Sequence, residues 1–146
     1  MNVKIRLATI EDAKKMCEVN LKNLPENYPP YQWKFLLEYG GPFSFVAEAE
    51  NGHIVGYCLA LVPEEKKAVI ASIAVEVEYR RKSIAKVLLL NSILALKKNG
   101  AQKISLHCRV SNHAQELYKK LGFSVVETVP CYYLNPSEDA YLMERK

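Results

Sequence analysis

Arg80, Arg81 and Lys82, followed by Ser83, form the densest cluster of one charge in the sequence, and they stand between two apolar runs. The first run, Ala68 to Val77, is rich in Val, Ile and Ala, the pattern of a central strand buried on both faces. The second, Ile84 to Asn99, is long enough for about four helical turns. Its apolar residues, Ile84, Val87, Leu88, Leu90, Ile93 and Leu94, go nearly all the way round, which predicts a helix buried on every side. The first N–H groups of such a helix have no partner within it. A basic turn at that point, just past the carboxyl end of a strand, is where an open α/β sheet places a phosphate. Elsewhere a basic triplet reads as a solvated turn, so its position is what marks it.

Other chemistries find less support. His53, His107 and His113 have no ligand spacing with one another or with a carboxylate cluster, so no metal is expected. There is no Gly-x-Ser-x-Gly and no Cys–His nucleophile pattern, which favours direct transfer over a covalent enzyme intermediate. Cys17, Cys58, Cys108 and Cys131 are far apart and form no CxxC; three of them fall in apolar-periodic segments, as reduced core thiols do.

The elements that must position the basic turn follow from periodicity. Val3 to Leu7 alternates as a strand, and Thr9 to Asp12 is a capping-box-like start for a helix to about Lys22, with Ile10, Ala13, Met16, Cys17 and Leu21 on one face. Pro25, Pro29 and Pro30 break that helix and make Leu24 to Pro30 a rigid loop; a short second helix, Tyr31 to Tyr39, ends at Gly40-Gly41. Phe43 to Glu50 and His53 to Val62 read as two strands of a hairpin around Asn51-Gly52, and Glu64 to Lys67 as a polar turn into the central strand. Lys103 to Val110 is a further strand; Asn112 then caps a helix ended at Gly122. Phe123 to Val129 and Ala140 to Glu144 are the last strands, joined by a polar, aromatic loop from Cys131 to Asp139. The sum is an α/β domain with a mixed, mostly antiparallel sheet of about seven strands and four helices.

With 146 residues, 49% hydrophobic and 25% charged, the chain is expected to be one domain, 1–146. The charged, alternating N-terminus predicts no signal peptide or membrane span, hence a cytoplasmic protein without a membrane partner. The formal charge of +4 comes from Lys14-Lys15, Lys66-Lys67, Lys97-Lys98 and Lys119-Lys120 besides the Arg80 cluster. Scattered pairs read as solvated faces, and no direct nucleic-acid partner is expected.

Arg80-Arg81-Lys82-Ser83-Ile84-Ala85 resembles the pyrophosphate loop of the GNAT superfamily of acetyl-CoA-dependent N-acetyltransferases: Arg or Gln, two residues, Gly, one residue, Gly or Ala. Ser83 replaces the first glycine, at about 1–2 kcal/mol if that position needs positive φ. The order of elements is similar to the GNAT fold, and Ser111 to Ala114 with Leu117 to Phe123 resembles its second cofactor segment. Leu24-Pro25-Glu26-Asn27-Tyr28, and Tyr132-Tyr133 with Glu138 to Tyr141, resemble the two substrate loops of protein N-terminal acetyltransferases, namely the NatA catalytic subunit and its stand-alone archaeal relatives. With Ser72 to Val75, the likeness runs from about Val3 to Met143.

The resemblance implies transfer of an acetyl group from acetyl-CoA to the α-amino group of proteins or peptides, nascent chains among them, without a metal. It implies that backbone groups of the Ile73-Ala74-Val75 stretch hold the pantetheine arm and that Arg80, Arg81, Lys82, Ser83, Ile84 and Ala85 take the pyrophosphate. Asn112 would contact the cofactor, and Tyr118 would stand near the sulfur, protonating or hydrogen-bonding the thiolate. Glu26 and His107 are the candidate bases; Val69 occupies a position where some relatives carry a polar catalytic side chain, which puts more weight on those two. Leu24, Pro25, Glu26 and Tyr28 would face Tyr132 and Tyr133 across a peptide groove, aromatic rings offering apolar area with a hydrogen-bonding tip. An auxiliary subunit is compatible with the resemblance. Two other functions share these residues: a non-catalytic CoA-binding or partner-binding module, favoured by Ser83 and Val69, and acetylation of a small-molecule amine.

Overall fold

The computed structural model describes residues 2–146. Strand β1 (Val3–Leu7) leads through a 3-10 turn (Ile10–Asp12) into α1 (Ala13–Asn23), and α2 (Pro30–Gly40) follows with proline in its first turn, where no backbone donor is lost. The entry to α1 is fixed by Asp12, which accepts the Thr9 N–H at 2.8 Å and a forked pair of bonds from Arg6 at 2.8 and 2.9 Å. Then come β2 (Phe45–Ala49), β3 (Ile54–Glu64), β4 (Lys67–Val75), α3 (Ile84–Lys98), β5 (Lys103–Arg109), α4 (Gln115–Lys120), β6 (Ser124–Leu134) and β7 (Ser137–Arg145). The seven strands form one sheet in the order β1-β2-β3-β4-β5-β7-β6, every pairing antiparallel except β4 with β5. The strand that carries the basic turn at its end is thus the middle strand of seven.

Alternation along β2 and β3 separates two cores. Ala47, Cys58 and Ala60 pack with Leu88, Leu89, Ile93 and Leu96 of α3 on one face; Val46, Tyr57 and Leu59 pack with Met16 of α1 and Trp33 of α2 on the other. Close approach of α3 to the sheet depends on Gly56. A Cβ there would lie 3.2 Å from the Ala74 carbonyl oxygen and 3.3 Å from Leu88 Cδ1.

Four expectations from the sequence are corrected. Helix α3 is not buried all round: Val87 and Leu90 are over a third exposed and Leu94 is 60% exposed, because one sheet covers one side of the helix and no further layer covers the other. On α1, Leu21 points outward and Val19 and Asn20 take the buried positions. Asn112 does not cap α4 directly; its Oδ1 accepts the Ala114 N–H at 2.8 Å in a turn that precedes the helix. Residues 131–139 are no loop: β6 runs on to Leu134 and β7 begins at Ser137, so Tyr132 and Tyr133 belong to a strand. The reason is a bulge. Val129 pairs with Ala140 but Tyr133 with Glu138, leaving two extra residues on β6, with Cys131 at φ 51 and its N–H held by Asp139 Oδ1 at 2.9 Å.

Gly56→Ala is expected to destabilise the fold by about 1–3 kcal/mol through overpacking against α3. For a chain of this size that lowers Tm by roughly 3–10 °C in a thermal melt. An unchanged melt would mean that α3 can shift at no cost.

Candidate active site

Strands β4 and β5 pair only through Lys67 to Val69 and Lys103 to Ser105. Beyond this they part, and a bulge at Ala71 turns β4 away: Leu59 faces Ser72 and Ala60 faces Ile70, so Ala71 has no partner on β3. The gap is a cavity of about 490 Å³ floored by Val69 to Ile73 of β4 and Leu106 to Arg109 of β5. Leu24, Glu26 and Tyr28 wall one side, and Tyr132 and Tyr133 the other, with Asn112 and Tyr118 also reaching it. Glu26, His107 and Tyr118 therefore share one space, whereas Pro25 does not line it, and Ala74 and Val75 are buried beyond it.

Two features could hold an extended, anionic ligand. The Glu76 N–H donates to Val55 O, so by antiparallel alternation Ser72 and Ala74 direct their backbone groups to β3 while Ile73 and Val75 direct theirs to the open side. The Val75 carbonyl accepts Arg80 Nε at 2.9 Å. At the end of this edge, Arg81 and Ser83 both adopt left-handed backbone, φ 62 and 63, ahead of α3. Such alternation curls successive N–H groups around a concavity suited to an anion. Arg81, Lys82 and Ser83 are exposed, and Ile84 and Ala85 begin the helix. Arg80 is placed differently: its guanidinium also donates to Asn23 Oδ1 at 3.0 Å, tying the end of β4 to the end of α1.

The walls are held by polar contacts that the sequence reading missed. Arg109 donates from Nε to Glu26 Oε1 at 2.7 Å, and from Nη1 to Pro136 O at 2.8 Å and Glu138 Oε1 at 3.2 Å, while its guanidinium lies 4.4 Å from the centre of the Tyr133 ring. Glu138 Oε2 accepts the Ser111 N–H at 2.8 Å. The bonds from Ser111, reinforced by Arg109, hold the Glu138 carboxyl below its ordinary range. Beneath the first wall, the buried Asn20 donates from Nδ2 to Glu26 O at 3.0 Å and to Tyr57 Oη at 3.1 Å, and Tyr57 bonds Ser72 Oγ at 2.7 Å. Asn27 closes the segment with Nδ2 on Asn20 Oδ1 and Leu24 O. A signal for Arg109 existed: Ser105, His107 and Arg109 share one face of β5 while Ile104, Leu106 and Cys108 are buried on the other. For Asn20 and Tyr57, both in apolar-periodic stretches, there was none.

His107 stacks on Tyr132, ring centres 4.3 Å apart and 6° from parallel. Burial pushes its pKa below the ordinary histidine value, against a weak opposing pull from Glu127, so the imidazole is neutral at pH 7. Tyr118 is 5% exposed, and burial raises its pKa well above that of a free phenol. Its hydroxyl makes no hydrogen bond among the described residues. The cavity thus offers a neutral acceptor, an unpaired hydroxyl donor and a carboxylate whose Oε2 is not used by Arg109.

The left-handed Ser83 gives a direct test. Relief of about 1–2 kcal/mol of strain, less about 0.4–1 kcal/mol for a more flexible unfolded chain, predicts that Ser83→Gly stabilises by roughly 0.5–1 kcal/mol in urea unfolding. A loss of stability would show that the serine side chain makes a contact worth more than the strain.

The family model described as "Acetyltransferase (GNAT) family" matches residues 10–123. An N-alpha-acetyltransferase of Saccharolobus solfataricus is 41% identical, the match covering 97% of this chain and 91% of that one. The N-terminal acetyltransferase A complex catalytic subunit ard1 of Schizosaccharomyces pombe is 38% identical, covering 97% and 84%. Among solved structures, the NatC complex bound to Gag peptide and CoA contains a chain that superposes with a TM-score of 0.92 over 99% of this chain and 98% of that one, at 23% identity, a likeness of fold. A seven-stranded sheet parted between its fourth and fifth strands, a left-handed basic turn at the mouth of α3, and a family match over most of the length lead to one assignment: the chain belongs to the acetyltransferase (GNAT) family.

Proposed function

We propose that this chain, as a single domain in the cytoplasm, transfers the acetyl group of acetyl-CoA to the α-amino group at a polypeptide N-terminus. One observation carries the reading: Glu26, His107 and Tyr118 share the walls of one cavity with a short aromatic groove, and the strand that floors it at Val69 to Ile73 ends, beyond Val75, in a left-handed basic turn suited to an anion. The relatives named N-alpha-acetyltransferase, and CoA and peptide in the NatC complex, support it. In the same reading an auxiliary subunit is a partner, as the name of the fission-yeast relative suggests for that protein.

The residues fit the group. The left-handed backbone at Arg81 and Ser83 and the first N–H groups of α3 suit a pyrophosphate, and the edge of β4 at Ile73 and Val75, unpaired with β5, suits an amide-bearing arm. Bound there, acetyl-CoA supplies an activated acyl carbon and a thiolate leaving group. His107, neutral and close-packed on Tyr132, accepts the proton that the amine must lose, directly or through water, and Glu26 Oε2 holds the ammonium or relays that proton. Tyr118 donates its unpaired hydroxyl hydrogen toward the departing sulfur.

The acceptor should be an α-amine. Its ordinary pKa is about 8 against about 10.4 for lysine, so a neutral lysine amine costs about 3.3 kcal/mol more at a given pH. The walls add a steric reason, since Leu24 to Tyr28 and Tyr132 to Tyr133 leave a short groove between two fixed segments, and a lysine within a continuous chain brings backbone on both sides. CoA release is to be measured with a lysine-free peptide bearing a free N-terminus, with the same peptide blocked at its N-terminus and carrying one internal lysine, and with a polyamine. The first should turn over fastest. Faster reaction of the second or third overturns the acceptor class, and no release with any of them overturns catalysis.

Tyr118→Phe should lower kcat about 10- to 150-fold, the worth of one hydrogen bond to a charged group at about 1.5–3 kcal/mol. Acetyl-CoA affinity by calorimetry should change little, because charge develops on sulfur only in the reaction. Full turnover by the variant would remove Tyr118 from the chemistry.

A further inference from the structure

Lysine pairs that are scattered in the sequence become neighbours in the fold. Parallel β4 and β5 start at the end of the sheet where α3 and α4 finish, and each of these points carries cations. Lys66 lies in the β3–β4 turn, Lys67 opens β4, and Lys103 opens β5. Lys97 and Lys98 end α3, and Lys119 and Lys120 end α4, where positive charge also suits the free carbonyls. Arg145 closes β7 and Lys146 follows. These segments are joined directly: Lys66 O accepts the N–H of Gln102 at 2.8 Å and of Lys103 at 3.2 Å, and Arg145 Nη1 donates to Leu121 O at 2.7 Å. A cavity of about 640 Å³ opens among Lys66, Lys67, Lys103, Arg145 and Lys146.

Nine cations stand here with three carboxylates, Glu64, Glu65 and Glu144, an excess of six positive charges. The whole chain has 20 cations and 16 carboxylates, so the rest of the molecule is net negative by two. Lys67 pairs with Glu64 at 3.4 Å and Lys103 with Glu144 at 3.1 Å; the other lysines of this face make no ion pair among the described residues. The face lies at the opposite end of β4 from the basic turn before α3, so both can be occupied together.

We propose that this end of the sheet is a docking face for structured RNA, gripped through its phosphates. Val126 is the one large apolar side chain lining the cavity, and no aromatic side chain reaches it. A protein interface would centre on apolar or aromatic anchors, and a membrane surface on an apolar insertion. Lysine without such a centre suits sequence-independent phosphate contact. The choice of RNA over DNA rests on the proposed function, since new polypeptide N-termini arise at an RNA-rich surface.

The test is fluorescence anisotropy of the whole chain with a labelled 20-base-pair RNA duplex between about 50 and 200 mM KCl, without acetyl-CoA, so that its outcome is separate from turnover. Four to six phosphate contacts predict a slope of log K against log salt of about −3.5 to −5.5. The triple variant Lys66→Glu, Lys97→Glu, Lys98→Glu should weaken binding at least roughly tenfold and flatten the slope; Lys4→Glu, Lys14→Glu, Lys34→Glu, with the same change in net charge, should weaken it less than about threefold. Both triples should keep peptide turnover. Equal loss in the two triples, or a wild-type dissociation constant weaker than about 1 mM at the lowest salt, overturns the proposal. So does equal affinity for a DNA duplex, or displacement of the RNA by anionic vesicles or a polyglutamate peptide at matched charge.

Discussion

Three residue pairs hold β4 to β5, and the point at which that pairing stops governs what the rest of the molecule can do. Backbone N–H and C=O groups in the middle of a sheet are ordinarily paired, and leaving them open in a folded interior costs free energy. Here two internal strands diverge beside a cavity, the backbone of Ile73 faces the opening, and that of Val75, on the same side of β4, lies beyond it with its carbonyl held by Arg80. The same divergence carries the end of β4 toward the start of α3. An open edge and a left-handed turn whose backbone suits an anion become consecutive along one strand, which is the geometry an elongated ligand with one anionic end requires.

The cavity has walls only because distant segments are fastened across it. The six residues between α1 and α2 have no regular structure, and the tip of the β6–β7 hairpin has no neighbour in the sheet beyond itself. Arg109, its side chain 11% exposed, holds both: Glu26 on one side, Glu138 and the Pro136 carbonyl on the other. A lysine could not make these contacts together, lacking the planar fork. On the inner side the Asn20, Tyr57 and Ser72 chain serves the first wall alone. Burial pushes the Tyr57 pKa up to about 12, which keeps that phenol neutral and able both to accept from Asn20 and to bond Ser72.

The strands, helices and basic turn were legible because each rests on local signals: apolar period, proline, glycine, and cations at a strand end. Ser83 was marked by its departure from a pattern, and its φ of 63 shows what the pattern's glycine would have supplied. What was not legible depends on long-range pairing. Tyr132 and Tyr133 look like loop residues beside Pro130 and Pro136, and only the bulge against β7 makes them strand. Val87, Leu90 and Leu94 look like core until the sheet is seen to cover a single side of α3. Paired lysines look isolated until four chain segments finish at one end of the sheet.

Burial acts on the two neutral candidates in opposite senses with one result. His107 is pushed down and Tyr118 up, so both stay uncharged at neutral pH. A phenol raised above about 10 would not give up its proton to a thiolate whose acid has a pKa near 8.5; it would stabilise the sulfur's charge as a donor and leave completion of the transfer to solvent. An imidazole held below about 6.5 is likewise a weak base toward an ammonium near 8, and it works best on the fraction of amine that is already close to losing its proton. Arg109 ties both Glu26 and Glu138 into the wall and offsets one of the two carboxylates, leaving one net negative charge there. In the proposed reaction the catalytic power then lies in fixed dipoles around an uncharged nucleophile, which is the arrangement that favours an α-amine over a lysine before any side-chain recognition begins.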